Sequence, residues 1–171
     1  MKKSLISIAG YDPSGGAGVL LDIAVFESLG HRGFGVLTAV TAQTPARVDR
    51  VHPVAPRAVA GQLERLGVTY DIEGIKVGML ATAANLSAVA GLLAGRRDVP
   101  RVVDPVLRST SGALLLERRA WPRFLEALRG KAECEGDEVG WKGLAAVAVI
   151  ADIAVVEAAG GLDAVLRVGE L

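Results

Sequence analysis

Apolar side chains cluster into short runs at residues 4–9, 35–42, 74–78 and 101–104. Each run is rich in Val, Ile or Leu and lacks strict alternation, the pattern of a strand covered on both faces. Between the runs the apolar period lengthens. Val19, Ile23 and Phe26 stand at i, i+4 and i+7, and Gly30 behind them signals a helix end. Val59, Leu63 and Leu66 repeat that spacing before Gly67, and Leu86, Val89 and Leu93 do so before Gly95. A fourth helix is predicted over 117–128, with Gly130 following it. Strands alternating with helices imply βαβ units, hence an α/β fold with a parallel sheet and helices on its faces. The sequence shows no internal repeat and no low-complexity linker.

The segment 131–171 departs from this pattern. It contains no Pro, Ser, Thr, Asn, Gln or His, so it lacks most side chains that cap helices, build turns or contact phosphate. Its apolar pattern allows a buried strand over 144–156 and a helix over 156–168 interrupted by Gly160-Gly161. We therefore expect one substrate-binding part over 1–130 and a divergent acidic and apolar tail over 131–171.

Composition narrows the function classes. A chain of 171 residues with 51% apolar and 22% charged side chains is globular and large enough for one sizeable core. Basic and acidic residues number 19 each, so no global basic field points to nucleic acid. The balance is uneven along the chain. Residues 1–130 carry 16 basic and 11 acidic side chains, and 131–171 carry 3 and 8. Positive potential for an anionic ligand therefore belongs to the first part. Cys134 is the single cysteine, which excludes an intramolecular disulfide and suits a reducing compartment. Glu133 and Glu135 flank it and disfavour its thiolate, so it reads as inert. The apolar stretch behind Met1-Lys2-Lys3 ends at Gly10 and reads as a strand rather than a signal peptide. The longest apolar run, 144–150, is too short to span a bilayer. A soluble cytoplasmic protein without membrane or nucleic-acid partners is expected.

Candidate chemistry gathers where the strands end. The first strand runs into Gly10-Tyr11-Asp12-Pro13-Ser14-Gly15-Gly16-Ala17-Gly18, and a helix follows at once. Glycines there allow close backbone approach to a ligand and expose N–H groups at a helix start, or simply make a tight turn. Neither a Walker lysine nor GxGxxG spacing is present. Asp22, one helical turn past Gly18, either faces solvent or turns toward a polar ligand. The second strand ends near Gln43, whose amide suits the edge of a heteroaromatic ring. The third ends at Gly78-Met79, where a soft thioether would either face a ring or fill the core. The fourth ends at Asp104-Pro105, and Asp104 would hold a metal, orient a phosphate network or make a turn. Ligands of open parallel sheets bind at the carboxyl ends of the strands, so these positions form one candidate edge.

The motifs together resemble those of the hydroxymethylpyrimidine/phosphomethylpyrimidine kinase family. Ala9 to Gly18 with Asp22 is similar to the family's opening motif, and Thr38-Ala39-Val40-Thr41-Ala42-Gln43-Thr44 to its second. Lys76-Val77-Gly78-Met79-Leu80 matches its third, and Val102-Val103-Asp104-Pro105-Val106 with Ser111-Gly112 its fourth. The resemblance covers about residues 3–130. It implies a ribokinase-like, three-layer αβα fold with a mostly parallel sheet, usually assembled as a homodimer. It further implies ATP- and Mg²⁺-dependent phosphorylation of 4-amino-5-hydroxymethyl-2-methylpyrimidine and its monophosphate in thiamine biosynthesis. By resemblance Gln43 would bond the aminopyrimidine edge, and Gly10, Asp22, Met79 and Val106 would line the pocket. Asp104 would sit toward the metal and γ-phosphate. The family's Thr-Pro-Asn-x-x-Glu-Ala, Lys-Gly-Gly and Gly-Thr-Gly-Cys segments, which serve nucleotide and transferred phosphate, do not occur in the sequence. The expectation is a C-terminally truncated fold with little kinase turnover of its own. A catalytically incomplete aminopyrimidine-binding protein and a pyridoxal-type vitamin kinase are the alternatives. The run Pro13 to Gly18 argues against the latter.

Overall fold

A computed structural model describes residues 3–96, 99, 101–104, 106–109 and 111–123. The expectations for 131–171, including Cys134, lie outside the described residues. Five strands and three helices follow in the order β1 (Ser4–Tyr11), α1 (Gly18–Ser28), β2 (Arg32–Thr44), β3 (Arg47–Pro53), α2 (Pro56–Thr69), β4 (Gly74–Val77), α3 (Ala83–Ala94) and β5 (Arg101–Val103). The sheet order is β3-β2-β1-β4-β5. All pairings are parallel except that of β2 with β3.

Side-chain parity on β1 sorts the layers. Ile6 and Ile8 share one buried cluster with Val59 and Leu63 of α2 and with Leu86, Val89 and Leu93 of α3. Leu5 clusters instead with Phe26 of α1. Successive strand residues face opposite sides, so α1 covers one face and α2 with α3 the other. The three-layer, mostly parallel α/β arrangement agrees with the sequence expectation. Among the described residues no helix is long and apolar enough to cross a membrane.

Two features differ from the sequence reading, and a third is described only in part. The strand β3 was not foreseen: its sequence Arg47-Val48-Asp49-Arg50-Val51-His52-Pro53 is half polar, and its residues are exposed or half-buried. As the outer antiparallel strand of the sheet it needs no continuous apolar run. Gly67 does not end α2, which continues to Thr69 and closes with Tyr70 N–H donating to the Leu66 carbonyl at 2.9 Å. The Arg96 guanidinium lies against this glycine, where a side chain would be. The expected fourth helix starts as a short 3₁₀ turn, Arg118–Ala120, with helical geometry through Arg123; the remainder of 117–128 lies outside the described residues.

Candidate functional site

The carboxyl end of β1 is shaped by its following loop. Asp12 accepts from the Ser14 N–H at 2.8 Å and from the Ser14 hydroxyl at 2.7 Å, while its carbonyl accepts from Gly15 N–H at 3.1 Å. The loop thus folds on itself and returns Gly18 against Tyr11 in an isolated bridge. Gly18 sits at φ +64, and a Cβ there would collide with the Gly10 carbonyl oxygen. No side chain caps the first turn of α1, because its N-cap residue is Ala17. Its N–H donors are left to solvent or ligand.

Gly10 stands at the mouth of this loop, and the Met79 sulfur is close above it. A Cβ on Gly10 would lie 2.9 Å from Met79 Sδ. Met79 belongs to a small buried cluster with Ala39, Ala81 and Leu115, against which Val48, Val51 and Val106 pack. Three of the candidate residues, Gly10, Met79 and Val106, therefore converge at the carboxyl ends of β1, β4 and β5. Ala39 and Thr41 are buried and Gln43, next in the same alternation, is half-buried, whereas Val40 and Ala42 are exposed. Gln43 thus shares the strand face of Ala39. Its amide makes no hydrogen bond among the described residues, while the neighbouring Thr41 hydroxyl donates to the Tyr11 carbonyl at 2.9 Å.

Asp22 departs from the solvent-facing reading. It is 1% exposed, so it does not lie on the solvent face. One carboxylate oxygen pairs with Lys76 Nζ at 2.8 Å, and the other accepts from the Ser7 hydroxyl at 2.5 Å. Ser7 and Lys76 occupy neighbouring positions in the β1–β4 register. The network therefore lies under α1, on the sheet face opposite to Ile6 and Ile8.

Asp104 is half-buried just past β5, its N–H donating to the Val77 carbonyl at 2.8 Å. Val106 N–H donates to the Asp104 carbonyl at 2.8 Å. Among the described residues no three His, Cys, Asp or Glu side chains cluster to hold a metal. Mg²⁺ in phosphoryl-transfer sites commonly takes one or two protein carboxylates and fills its shell with phosphate and water. A single carboxylate at this edge fits that donor pattern.

Beyond Ser111, several residues of the site region were not singled out from sequence. The segment after β5 folds back, with Arg108 bridged to Leu114 and the Val48 N–H donating to Ser111 Oγ at 3.3 Å. It ends by pinning the β4–α3 connection. Ala81 N–H donates to the Leu115 carbonyl and Glu117 N–H to the Ala81 carbonyl, both at 3.1 Å. Ala81 itself is left-handed, at φ 65. Thr82 caps α3 by accepting from Asn85 N–H at 3.1 Å, and Glu117 Oε2 accepts from Ala83 N–H at 3.0 Å. A Thr directly before an apolar helical stretch is an N-cap signal that sequence reading could have used.

The Ala83 N–H, aided by the hydrogen bond from Arg119, holds the Glu117 carboxyl below the usual carboxylate range. A group whose pKa is lower in the folded state contributes stability above its unfolded value, and that contribution fades as pH falls through the folded one. The Glu117→Gln protein is accordingly expected to lose less stability than wild type as pH drops below about 4.3, the ordinary glutamate value. Urea titrations across that range check this. Parallel losses would show that the cap carries no charge-dependent stability.

Comparison with known proteins identifies relatives in sequence and in fold. Residues 12–134 match the model of the phosphomethylpyrimidine kinase family. The chain is 34% identical over 162 residues to a hydroxymethylpyrimidine/phosphomethylpyrimidine kinase of Haemophilus influenzae, covering 94% of this chain and 60% of that protein. The crystal structure of phosphomethylpyrimidine kinase from Clostridium difficile superposes with a TM-score of 0.64 at 32% identity, over 72% of this chain and 54% of that one. A pyridoxal kinase from Staphylococcus aureus in complex with AMP-PCP gives a TM-score of 0.64 at 27% identity, over 77% and 47%. The chain thus spans about half to three fifths of the length of these relatives. Motifs, fold and the matched 12–134 span all lead to one conclusion: this chain, ribokinase-like in fold, belongs to the phosphomethylpyrimidine kinase family.

Proposed function

We propose that the edge formed by Gly10, Gln43, Met79 and Val106 binds an aminopyrimidine of the hydroxymethylpyrimidine type, as the substrate site of an ATP-dependent kinase of thiamine biosynthesis. One observation carries the reading. The Gln43 amide is half-buried and without a partner among the described residues, on the strand face of Ala39, which packs against Met79. An amide edge beside a thioether and two small residues suits a planar ring bearing an amino group and ring nitrogens. Asp22 contributes from the α1 side, since its two hydrogen bonds leave part of its roughly four acceptor positions open. ATP would supply the γ-phosphoryl group, and Asp104 would hold the Mg²⁺ shared with its phosphates. A homodimer in the cytoplasm, with the outer edge of β3 covered, completes the proposal.

Calorimetry with 4-amino-5-hydroxymethyl-2-methylpyrimidine tests it. Replacing Gln43 with Ala leaves ring donors and acceptors unmatched, an expected loss of roughly 1–3 kcal/mol in binding. Equal affinity of the Gln43→Ala and wild-type proteins would refute the assignment. Pyridoxal in the same titration examines the second reading, favoured by the likeness to the Staphylococcus aureus pyridoxal kinase. Stronger binding of pyridoxal than of the pyrimidine would select that reading.

A further inference from the structure

We propose that Thr38 and Asn85 are positioning residues that clamp the β4–α3 connection, fix Met79 over Gly10 and thereby set the depth of the pyrimidine pocket. The inference rests on the pocket reading above. Both residues are 0% exposed, so they act from behind the site rather than in it.

The clamp begins at an irregularity of β2. In the β1–β2 register Ala9 pairs with Leu37 but Gly10 pairs with Ala39, so Thr38 is the inserted residue of a bulge. Bulges re-aim the side chains around them. Here the Thr38 hydroxyl donates to the Met79 carbonyl at 2.6 Å. The Thr38 carbonyl accepts from Val54 N–H at 2.9 Å and from Asn85 Nδ2 at 3.1 Å, which uses both of its lone pairs. The same Nδ2 donates to the Leu80 carbonyl at 3.1 Å. Two consecutive carbonyls, those of Met79 and Leu80, are therefore held by two side chains from β2 and α3. The next residue, Ala81, is left-handed, a conformation an alanine keeps only where its surroundings over-determine it. The clamp on one side and the Leu115 and Glu117 hydrogen bonds on the other supply that determination.

The consequence falls on Met79, whose sulfur occupies the space left by the missing Gly10 side chain. A methionine has three flexible torsions and is a poor locator of itself. Its place is set by its backbone, and its backbone is set by Thr38 and Asn85. A purely structural role would lower the melting temperature and leave the folded pocket unchanged. A positioning role moves Met79 and weakens the ring contact in protein that remains folded.

The chain has two methionines, Met1 and Met79, so ε-¹³C-methyl labelling yields two resonances, separable with Met79→Leu. Thr38→Val keeps the shape and removes the donor. In folded Thr38→Val the Met79 methyl resonance is expected to shift, while Thr38→Ser retains the wild-type position. Gly10→Ala, whose Cβ would press on the sulfur, provides a reference displacement. Calorimetry with 4-amino-5-hydroxymethyl-2-methylpyrimidine is expected to show about two- to tenfold weaker binding by Thr38→Val and near-normal binding by Thr38→Ser. An unmoved methyl in folded Thr38→Val overturns the proposal, and so does a moved methyl with unchanged affinity. Asn85→Leu carries the same reading if Thr38→Val does not fold. Should wild type bind no pyrimidine, the functional assignment fails alone, and the Met79 methyl still decides whether the clamp exists.

Discussion

Lys76→Met is expected to destabilise the protein by about 3–5 kcal/mol, the usual cost of stranding one member of a buried ion pair. Lys76 and Asp22 have side chains 9% and 1% exposed, and their contact is 2.8 Å. Without the ammonium, the Asp22 carboxylate keeps the Ser7 hydroxyl as its hydrogen-bond partner among the described residues. The pair itself need not be worth that much. Bringing both charges out of water is expensive, and replacing them together by apolar groups of similar size is often neutral. The Lys76→Met, Asp22→Leu double variant should therefore recover most of the loss, a strong positive coupling in a double-mutant cycle. Urea denaturation of the four proteins measures it. A single-variant loss below about 1 kcal/mol, the level of a solvated surface pair, would show that water reaches the network.

Gly18→Ala is the second large effect, an expected loss of about 3–5 kcal/mol, in the range of severe single substitutions. Two causes combine. A left-handed backbone costs a side-chain-bearing residue about 1–2 kcal/mol, and the added Cβ would overlap the Gly10 carbonyl oxygen. Gly15 separates them, because it is also left-handed, at φ +72, but has nothing within 4 Å of an added Cβ. Gly15→Ala should lose only the conformational part. A difference of about 2 kcal/mol or more between the two variants, again by urea titration, is the expected signature of the overlap. Equal losses would mean that the loop yields easily. Because Gly10 also meets Met79, a shift forced at Gly18 is transmitted to the pocket floor.

Much of this arrangement was legible in the chain alone, for identifiable reasons. Apolar runs located β1, β4 and β5, since strands covered on both faces have no solvent side to interrupt them. The 3.6-residue period located α1, α2 and α3, because each buries one stripe: Val19 and Phe26, Val59 and Leu63, Leu86 and Val89. Special residues at strand ends indicated a candidate site edge, because that is where a parallel sheet leaves backbone groups and side chains free for a ligand. Gly10, Met79 and Val106 lie close together at those strand ends.

Tertiary structure decided what depends on partners distant in sequence. Asp22 reads identically as a solvent residue or a ligand contact until Lys76, 54 positions away, meets its carboxylate. β3 carries no apolar run because its outer edge is open, so only its pairing with β2 reveals it. The left-handed Ala81 cannot be read from an alanine codon's neighbours, since its conformation is imposed by Leu115, Glu117 and the Thr38–Asn85 clamp. Local sequence determines periodicity, caps and turns, whose energies act within a few residues. The placement of a buried charge or a strained backbone is settled by long-range contacts, because only those can offset the desolvation and conformational cost such groups incur.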